Sequence, residues 1–250
     1  MELTWEIPLL IAAGFAAGFI NTMAGGGSLI TLSTLIFIGL PADIANGTNR
    51  IAIMFQTATA VGGFKSKGVT TFPYSIYFGI TALVGAILGA QLATDIRGDL
   101  FDRILAIIMI MVVLIVVFKP KMATSEAIER LSGKHLAISI IVFFFIGIYG
   151  GFINVGIGFF MMLLLSRFNK LSLVKSNATK VTVAFIYTIA AVVVFALNDK
   201  IEYLIGIIMA VGNSLGAWFA SRWSVKKGDG VIKVFLLIMV IAISIKLWFF

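Results

Sequence analysis

The sequence predicts an all-α, polytopic membrane protein. It has about eight to ten helical segments in two inverted repeats, with short helices that are broken or re-entrant. Three observations predict this. The chain of 250 residues is 60% hydrophobic and 12% charged, where a soluble domain is about 45–50% apolar and about 25% charged. Its apolar residues lie in long blocks, several near the ~20 residues that cross ~30 Å of hydrocarbon as a helix, without the period-2 alternation of barrel strands. Finally, a glycine-rich break inside the apolar run "NTMAGGGSLITLSTL" at 21–35 has a degenerate second copy, "NVGIGFF" at 154–160.

Ten segments follow in order: 6–23, 27–39, 44–64, 72–95 and 100–118, then a polar linker, then 135–155, 157–167, 172–197, 201–223 and 230–249. Segment 6–23 is preceded by Glu2 and no Lys or Arg. It lacks the basic start of a cleaved signal peptide and reads as a retained helix. Segment 27–39 comes out of three glycines, each costing about 1 kcal/mol relative to Ala inside a helix. It and 157–167 are too short to span comfortably and suit half-length or re-entrant helices. Segments 44–64 and 172–197 open on the polar strings "ANGTNR" and "SNATKV". Small-xxx-small pairs in the long segments, Gly14/Gly18, Gly85/Gly89, Gly147/Gly151 and Gly212/Gly216, suit close helix contact, within the chain or in a homodimer. The linker "KPKMATSEAIERLSGKH" divides the chain into a first repeat at 1–118, a cytoplasmic linker at 119–134 and a second repeat at 135–250.

Charge gives the sidedness. If the connections alternate, thirteen of the 19 Lys and Arg residues fall in one set, which should be cytoplasmic. Glu2, Glu6, Asp43, Asp95, Asp99, Asp102, Asp199 and Glu202 fall on the other side, and both termini are then expected outside. The net charge of +8 is thereby assigned to cytoplasmic loops beside the lipid bilayer, and no nucleic-acid partner is expected. With no cysteine, disulfides and thiol chemistry are excluded. There is no P-loop, HExxH or nucleophile elbow, and the Gly25 run lacks a strand–turn–helix context. The sequence therefore predicts neither an enzyme with catalytic residues nor a bound metal or cofactor. His135, the single histidine, sits in the basic linker at a helix start, where a surface role is expected.

The halves repeat each other. "GFIN" at 18–21 recurs at 151–154, "ANGTNR" at 45–50 as "SNATKV" at 176–181, "GAILGA" at 85–90 as "GNSLGA" at 212–217, and "RGDLFDRIL" at 97–105 as "KGDGVIKVF" at 227–235. Order is kept throughout. The loop at 40–43 falls outside and its counterpart at 168–172 inside, so the repeats are inverted. Inverted repeats with broken helices are a transporter architecture, with the site where the repeats meet. Charge alone leaves open whether each short segment crosses or turns back.

The stretch "NTMAGGGSLITLSTLIFIGLPADIANGTNR" at 21–50 resembles the TauE/SafE-type sulfite exporter family of bacterial membrane proteins. The features that carry the resemblance are Gly25 to Gly27, the short helix Leu29 to Ile38, the turn Gly39-Leu40-Pro41, and Asn46 to Asn49. The degenerate second copy extends it over nearly the whole chain. The resemblance implies secondary transport of a small sulfur-containing anion, such as sulfite or an organosulfonate, usually outward across the plasma membrane. An anion channel on the same scaffold and a non-transporting assembly protein remain alternatives. Two departures stand out: some relatives carry cysteines near the path, and Lys180 here replaces the equivalent of Asn49.

The candidate substrate-binding residues follow from what an oxyanion needs, namely amides, hydroxyls, backbone N–H groups and a cation. Asn46, Thr48, Asn49 and Arg50 open one long helix; Asn177, Thr179 and Lys180 open its twin. Their alternative role is capping those helix starts. Arg50 and Lys180 lie in apolar segments, where charge is costly and usually functional, unless the side chain snorkels out. Asn21 and Asn154 precede the two breaks. They serve either substrate or the carbonyls the break frees. Gly25, Gly26, Gly27 and Ser28, with Gly156 and Gly158, offer backbone N–H groups at the starts of the short helices or allow close helix contact.

Overall fold

A computed structural model describes residues 5–96, 100–101, 103–105, 107–108, 128–228, 230 and 232. All regular structure among them is helical: α1 (Glu6–Met23), α2 (Ser28–Phe37), α3 (Ala42–Lys65), α4 (Tyr74–Asp95), α5 (Gly133–Phe152), α6 (Ile157–Leu163) continued by a π-helical turn (Leu164–Phe168), α7 (Leu173–Leu197) and α8 (Tyr203–Lys227). Five of these, α1, α4, α5, α7 and α8, are long and apolar enough to cross a membrane. Most of the expected segments 100–118 and 230–249, and most of the linker at 119–134, lie outside the described residues.

One expectation about helix starts is corrected. The long helix α3 begins at Ala42, after the extended Pro41 (φ −53°, ψ 144°), and Pro41 O accepts from Ala45 N at 2.7 Å. Asn46 and Thr48 therefore sit in the second turn, where there is no free N-terminal N–H to cap. In α7 the cap is Ser172, whose hydroxyl accepts from Lys175 N at 3.2 Å, so Asn177 and Thr179 are likewise inside the helix. A proline or serine a turn upstream already ends the chain's extended run.

Close contacts fix the helix directions. Gly14 and Gly18 of α1 lie against Met209 and Asn213 of α8, while Gly212 and Gly216 lie against Ile11 and Phe15. Positions advance together, so the two helices are parallel. The same pattern joins α4 to α5, where Gly85 and Gly89 meet Phe144 and Ile148, and α3 to α8, where Gly47 meets Lys200 and Gly63 meets Ser221. Helices α3 and α7 are antiparallel: Arg50 stacks over Phe195, 5.4 Å from its ring centroid, and Ala60 clusters with Ala178 and Val181. Helix α4 packs on α7 with Gly79 against Ile186, and the Tyr74 hydroxyl meets Thr179. Helices α1, α3 and α8 thus run one way and α4, α5 and α7 the other.

The short helices turn back. Phe168, at the end of the π-helical turn, lies 5.4 Å from the His135 ring at the start of α5. Next to it, Asn169 Nδ2 donates to Ser139 Oγ at 2.8 Å and to Arg130 O at 3.0 Å. On the other side, α2 returns the chain to Asp43, which pairs at 2.7 Å with Lys200 beside the start of α8. Both α1–α2 and α5–α6 are therefore hairpins, entering from opposite ends. Exchanging the halves leaves the packing scheme unchanged: α1 on α8 matches α5 on α4, α3 on α8 matches α7 on α4, and α3 meets α7 at the centre.

Candidate functional site where the hairpin tips meet

The two hairpin tips touch at their glycines. Gly25, at φ +92°, lies against Gly158 and Phe159, and a Cβ added at Gly158 would come within 2.6 Å of Gly25 Cα. Only glycine permits both the left-handed backbone at 25 and this approach. Gly27 packs the start of α2 against Ala17 and Asn21. Gly156 adopts φ +70° ahead of α6, and Asn154 also has a positive φ of 65°. Gly26 closes the turn into α2, its O accepting from Leu29 N at 3.2 Å.

Breaking α1 and α5 leaves carbonyls without intrahelical partners. Each set is satisfied by the central helix of the other half. At α1, Asn177 Nδ2 donates to Met23 O at 3.1 Å. Lys180 Nζ donates to Asn21 O (2.9 Å), Thr22 O (3.0 Å) and Asn177 Oδ1 (2.6 Å). At α5, Asn46 Nδ2 donates to Phe152 O at 2.8 Å. Arg50 donates from one terminal nitrogen to Gly150 O and from the other to Gly151 O and Asn46 Oδ1, each at 3.0 Å. Arg50 and Lys180 are buried, not snorkelling, at 0% and 3% exposure. The negative end of each helix dipole thus receives a cation.

A second pair of contacts ties the break residues down. Asn21 Nδ2 donates to Gln56 Oε1 at 2.9 Å, and Gln56 Nε2 lies 3.4 Å from Thr22 Oγ1. In the other half, the Tyr187 hydroxyl donates to Asn154 Oδ1 at 2.5 Å, and Asn154 Nδ2 approaches Ser28 Oγ at 3.4 Å. Between these groups lies a cavity of ≈ 20 Å³, bordered by Asn21, Gln56, Thr57, Asn154, Gly158, Lys180 and Tyr187. That is about the room one water needs, and no multi-atom oxyanion fits without side-chain movement.

The expected site residues are therefore only partly gathered. Asn21, Asn154, Gly158 and Lys180 border the cavity, with Gly25 and Ser28 next to it. Asn46 and Arg50 lie at the end of α5. Thr48 Oγ1 accepts from Glu202 N at 2.9 Å, and Thr179 Oγ1 donates to Lys175 O at 2.7 Å, so both are turned to connections and their own helix. Asn49 is buried, and among the described residues neither of its side-chain polar atoms has a hydrogen-bond partner. Gln56 and Tyr187 had not been foreseen. The repeat register carries the signal for them: each follows its helix's asparagine, Asn46 or Asn177, by the same ten positions.

A membrane-embedded helical bundle with two opposed broken hairpins and a polar junction between them is that of a membrane transporter. The chain belongs to the sulfite exporter TauE/SafE family, whose family profile matches residues 10–247. It is similar to the probable membrane transporter protein ORF9 of Sinorhizobium sp., with 30% identity over 96% of this chain and 92% of the relative. A probable membrane transporter protein of Haemophilus influenzae is 29% identical over 96% and 94%. The probable membrane transporter protein YfcA of Escherichia coli K12 is 29% identical over 96% and 90%. Among solved structures, none matches the chain.

Proposed function

We propose that this transporter exports a small sulfur-containing anion, sulfite, a sulfonate or a related oxyanion, across the bacterial plasma membrane by alternating access. The observation that carries the reading is the junction of the two hairpin tips. Gly25 and Gly158 touch there, and the small space beside Gly158 is bordered by Asn21, Gln56, Thr57, Asn154, Lys180 and Tyr187 together with aliphatic side chains. Neutral donors next to a buried cation favour an anion over a cation. The opposed directions of α1–α4 and α5–α8 support an inverted-repeat carrier, in which one repeat rocks against the other around a fixed site. In this conformation the cavity has room for about one water, so the tips must part before an anion can bind. On this reading the anion enters when the tips part, bound by Asn21, Asn154, Gln56 and Tyr187 and by N–H groups of Gly25 to Ser28 and Gly156 to Gly158. Both termini lie outside, and the membrane potential drives the anion outward from a negative interior.

The test is thermal unfolding of the detergent-purified protein against sulfite, sulfate, thiosulfate, taurine, sulfoacetate, phosphate and acetate at matched ionic strength. A selective rise in Tm with a sulfur oxyanion or sulfonate is expected, because a ligand that binds only the folded state stabilises it by mass action. A flat panel would overturn the substrate class.

A further inference from the structure

We propose that the Lys180 ammonium is a tethered cation, permanently filling a monovalent-cation site built at the carboxyl end of α1. Three oxygens converge on Nζ: Asn21 O at 2.9 Å, Thr22 O at 3.0 Å and Asn177 Oδ1 at 2.6 Å. An ammonium group has three donors, and all three are used. Two of the acceptors are the last unpaired carbonyls of a broken helix, where the dipole is negative, and broken-helix carboxyl ends are where carriers of this architecture hold a coupling ion. Here a covalent side chain occupies that place. It is 3% exposed, and among the described residues its hydrogen-bond partners are three neutral oxygens and no carboxylate. The end of α5 is built alike, with Arg50 on Gly150 O, Gly151 O and Asn46 Oδ1. Neither helix end therefore needs a free metal ion, and the folded protein is indifferent to Na⁺. The inference does not depend on which anion is carried.

Removing the tether should expose the site. Lys180→Ala leaves the three oxygens and deletes the cation. In the detergent-purified full chain, its Tm is followed against chloride salts of ammonium, methylammonium, Na⁺ and choline at matched ionic strength. The variant is expected to melt below the wild type. Ammonium, methylammonium or Na⁺ should raise its Tm saturably, by about 5 °C at high occupancy; choline, too large for the cage, should not. The wild type and the double variant Lys180→Ala/Asn177→Leu should show no such selectivity. A Lys180→Ala protein as stable as the wild type without added cation, or one that responds to choline as to ammonium, would overturn the proposal. Should Lys180→Ala yield no protein, it is prepared with methylammonium present throughout. Recovery with methylammonium but not with choline supports the site, and loss in both overturns it.

Discussion

Asn46 and Asn177 make the same bond in the two halves of the molecule: each reaches across to the last carbonyl of the other half's broken helix. Asn46 Nδ2 meets Phe152 O at 2.8 Å and Asn177 Nδ2 meets Met23 O at 3.1 Å. The breaks are thus held by reciprocal exchange, with each half completing the helix the other half interrupts. In a membrane such carbonyls have no water to turn to. Asn46→Leu or Asn177→Leu should each destabilise the fold by about 1–3 kcal/mol, the cost of a buried polar group left unsatisfied. Thermal unfolding in detergent would read this, and an unchanged Tm in both variants would contradict the reciprocal-cap account.

Gly25 and Gly39 share a left-handed backbone, at φ +92° and +97°, but not their surroundings. A Cβ at Gly25 would run into the backbone of Gly158 and Phe159, whereas at Gly39 none of the described residues lies within 4 Å. Gly39→Ala should therefore cost only the backbone term, about 1–2 kcal/mol. Gly25→Ala carries that same term and also pushes the tips apart. It should melt clearly below Gly39→Ala and lose transport. Equal Tm values for the two would show that the tips do not need their contact.

Gln56 and Tyr187 anchor Asn21 and Asn154 respectively. Tyr187→Phe removes one hydrogen bond and Gln56→Leu two, at about 0.5–1.5 kcal/mol of stability per bond. Their effect on flux should be larger, at least about tenfold, if these asparagines must be held in place to bind the anion. Comparing Tm with initial transport rate separates the two effects.

Helix directions make a prediction about sidedness. Ser66 ends α3 and Ser132 precedes α5, while Asp95 ends α4 and Asn198 ends α7, and all four are exposed. Because the wild-type chain has no cysteine, single-cysteine variants report without background. Ser66→Cys and Ser132→Cys should react with a membrane-impermeant thiol reagent from one side, which the lysine bias makes the cytoplasm. Asp95→Cys and Asn198→Cys should react from the other. Labelling of Ser66→Cys and Asn198→Cys from the same side would contradict the topology.

Much of this fold could be read from the residues, because glycine runs and apolar block lengths are local signals. Segments 6–23 and 72–95 are close to α1 and α4, and the break at Gly25 falls between α1 and α2 as expected. Whether the short segments cross or return was not legible, since that depends on Asn169 meeting Ser139 across the hairpin, a tertiary contact. The site was legible only as residue types. Arg50 and Lys180 stood out as charges in apolar helices. Their partners did not, because a backbone carbonyl becomes available only where another helix breaks. Gln56 and Tyr187 lie in apolar stretches with no motif, and only the register between the repeats points to them.

Sulfite efflux from proteoliposomes tests the central claim most directly. Vesicles reconstituted with wild-type protein, Gln56→Leu or Lys180→Met would be loaded with sulfite under an inside-negative potential, and initial efflux followed against internal concentration. Saturable, potential-driven efflux by the wild type, reduced tenfold or more in both variants, is the predicted result. Efflux no faster than from empty vesicles, an unsaturable channel-like leak, or wild-type rates in both variants would contradict anion export through the junction of the two hairpin tips.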